Sequence, residues 1–393
     1  MRDIFNNYSQ AFAHRSTREL KQLVRLFELL SNPRISKLGI LAMKTFGHIK
    51  FLGFQNIQRW LFHPFYAGTT LQESERAVVS LSNFGVYSYL NYAIEDTIDE
   101  KEFDANCQMV QKLLVHASKT NDIPFGVCKP TSFGDKHLFQ KINAKQTLHH
   151  DEKLAWKRVT DRFRSCCRIA QEHDVGLLID AEEYNMQIAA DQLVLDLMRE
   201  FNTTKAVVYN TVQLYLVDGN HRLQQMHKLA IKEGFYLGLK LVRGAYLEKE
   251  RKRAKRNQTP SPICNSKVET DTNFNKGVAY CLKHLDNIAI VLGSHNENSV
   301  SQALQSMDQY EIAPNDHRVW FSQLLGMSDH MSFILANKGY NVVKFVPFGP
   351  MNKLVPYLAR RAEENTAIAG QTIRELALLR SELKRRKALP NEL

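Results

Sequence analysis

The sequence predicts an α/β fold: a distorted (β/α)8 (TIM) barrel with an N-terminal helical arm and a final helix capping the barrel mouth. Two observations carry the barrel. Between residues 84 and 349, short β-rich runs alternate with longer helical patterns eight times. Most of these runs have near-continuous apolar cores, as in Gly-Leu-Leu-Ile-Asp (176–180) and Ala-Ile-Val-Leu-Gly-Ser (289–294). Such cores mark strands buried on both faces of a parallel sheet, and repeated β/α alternation closes most economically as a barrel. A length of 393 residues holds a barrel of about 250 residues and an appendage.

The arm comes first. Leu20, Leu23, Val24, Phe27 and Leu30 recur at helical intervals behind Ser16 and Thr17, two N-cap residue types. Residues 1–80 are therefore read as helical and packed on the barrel. The strands follow at Phe84–Tyr92, Ile123–Thr131, Val175–Glu182, Ala206–Leu216, Tyr236–Tyr246, Asn287–Asn296, His317–Gly326 and Asn341–Gly349. The segments between them suit crossover helices, with Met186, Ala189, Ala190, Leu193, Leu195 and Met198 at helical spacing in one of them. After the eighth strand, Tyr357, Arg360, Arg361 and Glu364 fall at i, i+3, i+4 and i+7 and share one helical face. A helix on the outside of a barrel turns an apolar stripe inward, whereas this one offers two guanidinium groups, which suits a cap over the mouth. The division is a 1–80 arm, an 81–380 barrel including that helix, and a 381–393 basic tail. No repeat, low-complexity stretch or Pro/Gly-rich linker marks an independent second domain.

Composition excludes several classes. The longest apolar stretch, Leu38 to Phe54, is broken by Lys44, His48 and Lys50, so no transmembrane helix is expected. The N-terminus shows neither an apolar core nor a cleavage site of a secretory signal. Cys107, Cys128, Cys166, Cys167, Cys264 and Cys281 form no C-x-x-C pair, which suggests reduced thiols in an intracellular protein. The net charge of +11 sits at the ends: residues 1–60 carry ten Lys/Arg against three acids, and residues 371–393 carry six against three. A nucleic-acid enzyme carries its basic stripe through the body of the fold. Basic ends beside Leu38, Ile40, Leu41, Phe46, Phe51, Leu52 and Phe54 fit docking on an anionic membrane surface or a partner. The histidines, His149-His150 included, lack partners at ligand spacing, so no metal is expected. Ser132, Ser294 and Ser322 lack a nucleophile elbow. Lys249 to Arg256, six basic residues in eight, reads as a solvated helix face.

In a parallel barrel the active site lies at the carboxyl ends of the strands. Polar residues recur there: Lys129, Asp180 with Glu182, Gln213, Arg243 with Tyr246, His295-Asn296 and Gln323. Paired arginines on the final helix, with Glu364 to orient one, suit a small carboxylate, because a guanidinium fork binds it in two parallel bonds.

These residues lie within Phe-Gly-Val-Cys-Lys-Pro-Thr (125–131), Leu-Ile-Asp-Ala-Glu-Glu (178–183), Thr-Val-Gln-Leu-Tyr (211–215), Lys-Leu-Val-Arg-Gly-Ala-Tyr (240–246), Gly-Ser-His-Asn (293–296), Gln-Leu-Leu-Gly-Met-Ser-Asp (323–329) and Tyr-Leu-Ala-Arg-Arg-Ala-Glu-Glu-Asn (357–365). In that order they resemble the proline dehydrogenase family in its monofunctional form, the FAD enzymes that oxidise L-proline to Δ1-pyrroline-5-carboxylate. The resemblance covers nearly the whole barrel and the final helix; the arm is matched loosely. It implies that Arg360 and Arg361 clamp the substrate carboxylate with Lys129 as a third cation, and that Tyr246, Tyr357 and Leu324 wall the pocket. It places Asp180 beside substrate and flavin, and Gln213, Val242, Arg243, Gly244, Ala245, His295 and Asn296 in the flavin shell. Lys240 stands where an arginine contacting the FAD pyrophosphate is often found; the charge is kept and the planar fork lost. Glu95 is a candidate gate partner for Arg360. Phe345 replaces a common tyrosine beside the substrate ring, which bears on the rival substrate 4-hydroxyproline.

The expected cofactor is non-covalent FAD, since no Cys or His stands in a flavin-linkage context. Expected partners are L-proline, a membrane quinone as electron acceptor and a pyrroline-5-carboxylate dehydrogenase, with no nucleic acid. The expected location is the cytoplasmic face of a bacterial inner membrane, peripherally bound, with the mitochondrial matrix as the alternative. A folate-reducing FAD barrel is disfavoured by the paired arginines. A basic nucleic-acid or scaffold barrel is the non-enzymatic alternative.

Overall fold

Strands form at all eight places where apolar runs predict them. The computed structural model describes residues 4–31, 63–92, 98–350, 354 and 369–388. The strands are β1 (Tyr87–Tyr92), β2 (Phe125–Cys128), β3 (Gly176–Ile179), β4 (Val208–Gln213), β5 (Leu237–Val242), β6 (Ile288–Gly293), β7 (Val319–Leu324) and β8 (Val342–Phe348). Described helices are α1 (Tyr8–Ala11), α2 (Thr17–Ser31), α3 (Leu71–Ser82), α4 (Glu100–Ala117), α5 (Pro130–Phe133), α6 (Lys136–Asn143), α7 (His150–Glu172), α8 (Tyr184–Phe201), α9 (Gly219–Glu233), α10 (Leu247–Arg256), α11 (Lys267–Lys283), α12 (Glu297–Gln309), α13 (Asp329–Asn337) and α14 (Ala369–Ala388). The sheet order β1-β8-β7-β6-β5-β4-β3-β2 is that of a (β/α)8 barrel.

Each strand is shorter than its apolar run, for local reasons. β2 stops at Cys128 because Pro130 is pre-set for the first helical position and Lys129 becomes the N-cap residue of α5. The strand ends form two levels: Cys128 lies opposite Ile179, and Gln213, Val242 and Gly293 lie opposite one another, but Ile179 faces Asn210, three residues before the end of β4. Helix starts follow the caps. Asp99, Ser266 and Asn296 each accept a backbone N–H from the first turn of α4, α11 and α12.

The chain divides into two compact units. The larger runs from Tyr89 to Ser322. In its interior Phe125 meets Tyr209 and Trp320 edge to face, with centroids 5.5 and 5.2 Å apart. These rings stand at the amino ends of β2, β4 and β7 and fill the barrel there, which leaves polar chemistry to the opposite ends. The smaller unit comprises the described residues before Tyr89 and after Ser322. Its arm helix α2 opens on a capping box: Ser16 Oγ accepts from Glu19 N and the Glu19 carboxylate accepts from Ser16 N. Leu20, Leu23 and Phe27 are buried as the spacing predicts, and α2 packs on α14. Among the described residues no helix is long and apolar enough to cross a membrane.

Candidate functional site

In the larger unit one polar layer lies above the aromatic plug. Lys240, in the middle of β5, extends its buried ammonium to Asp180 Oδ1, 2.6 Å away, just past the end of β3. The same ammonium lies 5.3 Å from the centroid of the Tyr89 ring, and the Tyr89 hydroxyl is 2.9 Å from Ser322 Oγ. Burial alone would favour a neutral Lys240. The Asp180 carboxylate, and after it Tyr89, reverse that preference and hold the lysine charged above its ordinary range. The resemblance put Lys240 at a pyrophosphate; here its ammonium is directed to Asp180, one layer below the strand ends.

Arg243 follows β5 and is held on all sides. Its Nε donates to Asp271 at 2.7 Å, Nη1 to Ser294 Oγ at 3.0 Å and Nη2 to Ser299 Oγ at 2.7 Å, and the guanidinium lies 4.4 Å from the Phe274 ring centroid. Burial lowers its pKa from the usual arginine value while Asp271 pulls the other way. Gly244 has φ +131°, and a Cβ there would sit 2.5 Å from the Tyr215 ring, so only glycine lets the turn lie flat on that tyrosine. Ala245 is exposed, and Tyr246 is half-buried at the N-cap position of α10. Val242 and Gln213 end their strands side by side.

Lys129 and Asp180 follow the paired residues Cys128 and Ile179, and Asp180 N donates to Cys128 O at 2.9 Å. Glu182 ties this corner together. It accepts from Thr131 N and Thr131 Oγ1, both at 2.8 Å, and its carbonyl accepts from Gln213 Nε2 at 3.0 Å. His295 and Asn296 follow β6, half-buried, and Asn296 Oδ1 is engaged as the cap of α12. A small cavity beside β4, bordered by Gln187, Asp191, Thr211, Gln213 and Arg222, has room for about one water and is not the substrate site.

The smaller unit holds Leu324, the last residue of β7, and Phe345, whose carbonyl accepts from Leu325 N at 3.0 Å. Beside Phe345, the wholly buried Lys344 donates to Met327 O at 2.6 Å and pairs with Asp329 at 2.9 Å. Asp329 also takes Arg15 at 2.9 Å and His14 at 3.3 Å. Burial raises the Asp329 pKa, but Lys344, Arg15 and His14 together hold it well below the carboxylate range. Glu375 accepts from Ser328 N at 2.9 Å and is pushed up to about 8, by burial first and the Asp329 charge second.

Tyr357, Arg360, Arg361, Glu364 and Glu95 lie outside the described residues. The basic run on α10 is only partly a solvated face: Lys249 and Arg253 reach Glu183, and Arg253 also reaches the buried Glu250. Sequence reasoning assigned no role to Glu182, Tyr89, Asp271 or Lys344. Glu182 carried a signal, being the second carboxylate, after Asp180, at one strand end. Asp271 carried none, since only the packing of α11 brings it to a strand far away in sequence.

The family profile described as proline dehydrogenase matches residues 74–374, which takes in every one of these strand ends. The chain belongs to the proline dehydrogenase family. The carbapenem antibiotics biosynthesis protein CarD of Pectobacterium carotovorum subsp. carotovorum is 36% identical over 322 residues, 82% of this chain and 83% of that protein. The mitochondrial proline dehydrogenase 1 of Homo sapiens is 41% identical over 239 residues, 60% of this chain and 40% of that protein. Among solved structures, proline utilization A from Bdellovibrio bacteriovorus, inactivated there by N-propargylglycine, superposes with a TM-score of 0.77 at 18% identity over 91% of this chain and 42% of its own. That likeness carries the fold. The chain thus spans about two fifths of the human and Bdellovibrio proteins and most of CarD.

Proposed function

We propose that the chain oxidises L-proline to Δ1-pyrroline-5-carboxylate with a non-covalently held FAD, the opening step of proline catabolism. The observation that carries this reading is the row Lys129, Asp180, Gln213 and Arg243 on successive strand ends, inside the stretch matched by the family profile. The residues present fit a flavin. Gln213 Oε1 is buried without a partner among the described residues, an acceptor that suits a ring N–H. Arg243 has five N–H groups, of which three are engaged by Asp271, Ser294 and Ser299. Gln213, Val242, Arg243, Gly244, Ala245, His295 and Asn296 would hold the cofactor. Hydride acceptance is the chemistry that FAD supplies when bound.

The chain's own residues bind and orient. Arg360 and Arg361 take the proline carboxylate in a two-point clamp, Glu364 orients one of them, and Lys129 adds a third cation. Two-point capture fixes the ring position, and such positioning lowers the barrier to transfer. Tyr246, Tyr357, Leu324 and Phe345 wall the ring and exclude water. Lys240 holds the Asp180 side chain in place by their ion pair. Electrons pass to a membrane quinone, reached by peripheral attachment through the basic ends, and the product goes to a pyrroline-5-carboxylate dehydrogenase.

Anaerobic titration with L-proline tests the reading: the purified protein is yellow, acid precipitation releases the colour into solution, and proline bleaches the flavin band. A colourless protein, or a flavin that proline leaves oxidised, would sink it.

A further inference from the structure

All six cysteines are unpaired and buried, but two of them meet. Cys107 on α4 and Cys166 on α7 have sulfurs 3.7 Å apart. Around them lies a polar nest: Gln111 Nε2 donates to Cys107 Sγ at 3.5 Å and to Ser165 Oγ at 2.9 Å, and Ser165 Oγ is itself 3.5 Å from Cys107 Sγ. Cys107 keeps 6% of its surface exposed and Cys166 none, so an oxidant reaches Cys107 first.

The same two helices grip the turn that follows β2. Asn106, next to Cys107, donates from Nδ2 to Ser132 O at 3.1 Å. Arg162, one helical turn before Cys166, donates from Nη1 to Phe133 O at 3.0 Å. Both carbonyls belong to the short α5 segment that Lys129 caps. The thiol pair therefore lies directly behind the residues that hold Lys129.

We propose that Cys107 and Cys166 form a reversible disulfide when the protein meets a hydroperoxide, and that this bond shifts the turn carrying Lys129. In the first step the Cys107 thiolate attacks a peroxide oxygen; an S–O bond forms, the O–O bond breaks, and the remaining alkoxide or hydroxide takes up a proton. In the second, the Cys166 sulfur attacks the sulfenic sulfur; the S–S bond forms, the S–O bond breaks, and water leaves with the Cys166 proton. Two thiols are oxidised and one hydroperoxide is reduced to alcohol and water. A disulfide requires about 2.05 Å between sulfurs, so the 3.7 Å gap must close by about 1.6 Å. A close-packed helix pair answers such a pull by moving, and Asn106 and Arg162 move with it. The environment favours the first step: the hydrogen bond from Cys166, ahead of those from Ser165 and the Arg162 charge, draws the Cys107 thiol down to about 7, while the same bond pushes Cys166 up.

The disulfide itself is independent of the proposed function; its consequence at Lys129 rests on that reading. The full chain is treated with hydrogen peroxide, remaining thiols are alkylated, and the digest is weighed. The expected result is a Cys107–Cys166 cross-linked peptide lighter by two hydrogen atoms, restored by dithiothreitol and absent from Cys107→Ser and Cys166→Ser. Oxygen adducts on Cys107 without a cross-link, or a cross-link to Cys128 or Cys167 instead, overturn the pair. Amide exchange over residues 129–134 should quicken in the oxidised protein and not in treated Cys166→Ser; unchanged exchange overturns the coupling. Loss of the Asn106 bond should then raise the proline KM about two- to tenfold. Quickened exchange with an unchanged KM removes Lys129 from the substrate site and leaves the disulfide standing.

Discussion

Removing the carboxylate of Asp180 tests the polar layer inside the barrel. Lys240 Nζ is 2.6 Å from Asp180 Oδ1, with side chains 8% and 16% exposed. At an effective dielectric near 20, unit charges at that separation attract by about 6 kcal/mol, an attraction largely offset by the cost of dehydrating both ions. Breaking such a pair is another matter, since the remaining charge stays buried alone, at a cost of roughly 3–5 kcal/mol. Asp180→Asn should therefore lower unfolding stability at pH 7 by about 3 kcal/mol, and Lys240→Met by a comparable amount. The double variant buries no lone charge and should be more stable than either single one, with a coupling of at least about 2 kcal/mol. The pH dependence has a definite sign. In the native protein Lys240 is held above its ordinary value, so its contribution is complete below the unfolded pKa of about 10.4 and lost at higher pH. In Asp180→Asn burial dominates and the folded pKa falls below the unfolded one. That variant then loses stability as pH drops below about 10.4, and its deficit against the native protein narrows between pH 7 and 10. Urea unfolding of the four proteins at both pH values measures this. Additive costs, or a deficit that does not change with pH, would refute the account of a charged, mutually dependent pair.

Glu375 gives a second pH signature. Its folded pKa of about 8 lies above the unfolded value, so its contribution is complete below the usual carboxylate range and is lost progressively up to pH 8. Glu375→Gln keeps the acceptor for Ser328 N, and should match the native melting temperature near pH 5 and exceed it at pH 9; equal curves at both would show a carboxylate already ionised. Arg360→Ala and Arg361→Ala should each lose about ten- to over a hundredfold in kcat/KM for proline, from a charge-assisted bond of roughly 1.5–3 kcal/mol, with flavin retained and Glu364→Ala milder. Native kinetics in either arginine variant removes that residue from the site. Phenylalanine at 345 keeps ring bulk and offers a 4-hydroxyl no partner, so proline should exceed trans-4-hydroxy-L-proline by at least about tenfold in kcat/KM. Equal turnover reassigns the substrate and leaves the fold untouched.

The barrel was legible because its causes are local and repetitive. Apolar runs such as Leu177–Leu178–Ile179 and Ile290–Val291–Leu292 announce strands buried on both faces, and eight of them in alternation with helices leave little choice of architecture. The strand ends were legible too, because a parallel barrel puts every carboxyl end at one mouth, so Lys129, Asp180, Gln213 and Arg243 could be read as one group without knowing a single distance. What the side chains do there was decided by tertiary structure. A lysine on β5 reads as a free cation until the fold sets it against Asp180 and Tyr89. An arginine after β5 reads as unengaged until α11 delivers Asp271 to it. Cys107 and Cys166 are ordinary core cysteines in sequence, and only the packing of α4 on α7 makes them a pair. The reason is one of range: strand and helix patterns arise from neighbours a few residues apart, whereas an ion pair or a sulfur contact depends on sub-ångström placement of groups that the chain brings together from 28 to 60 residues away.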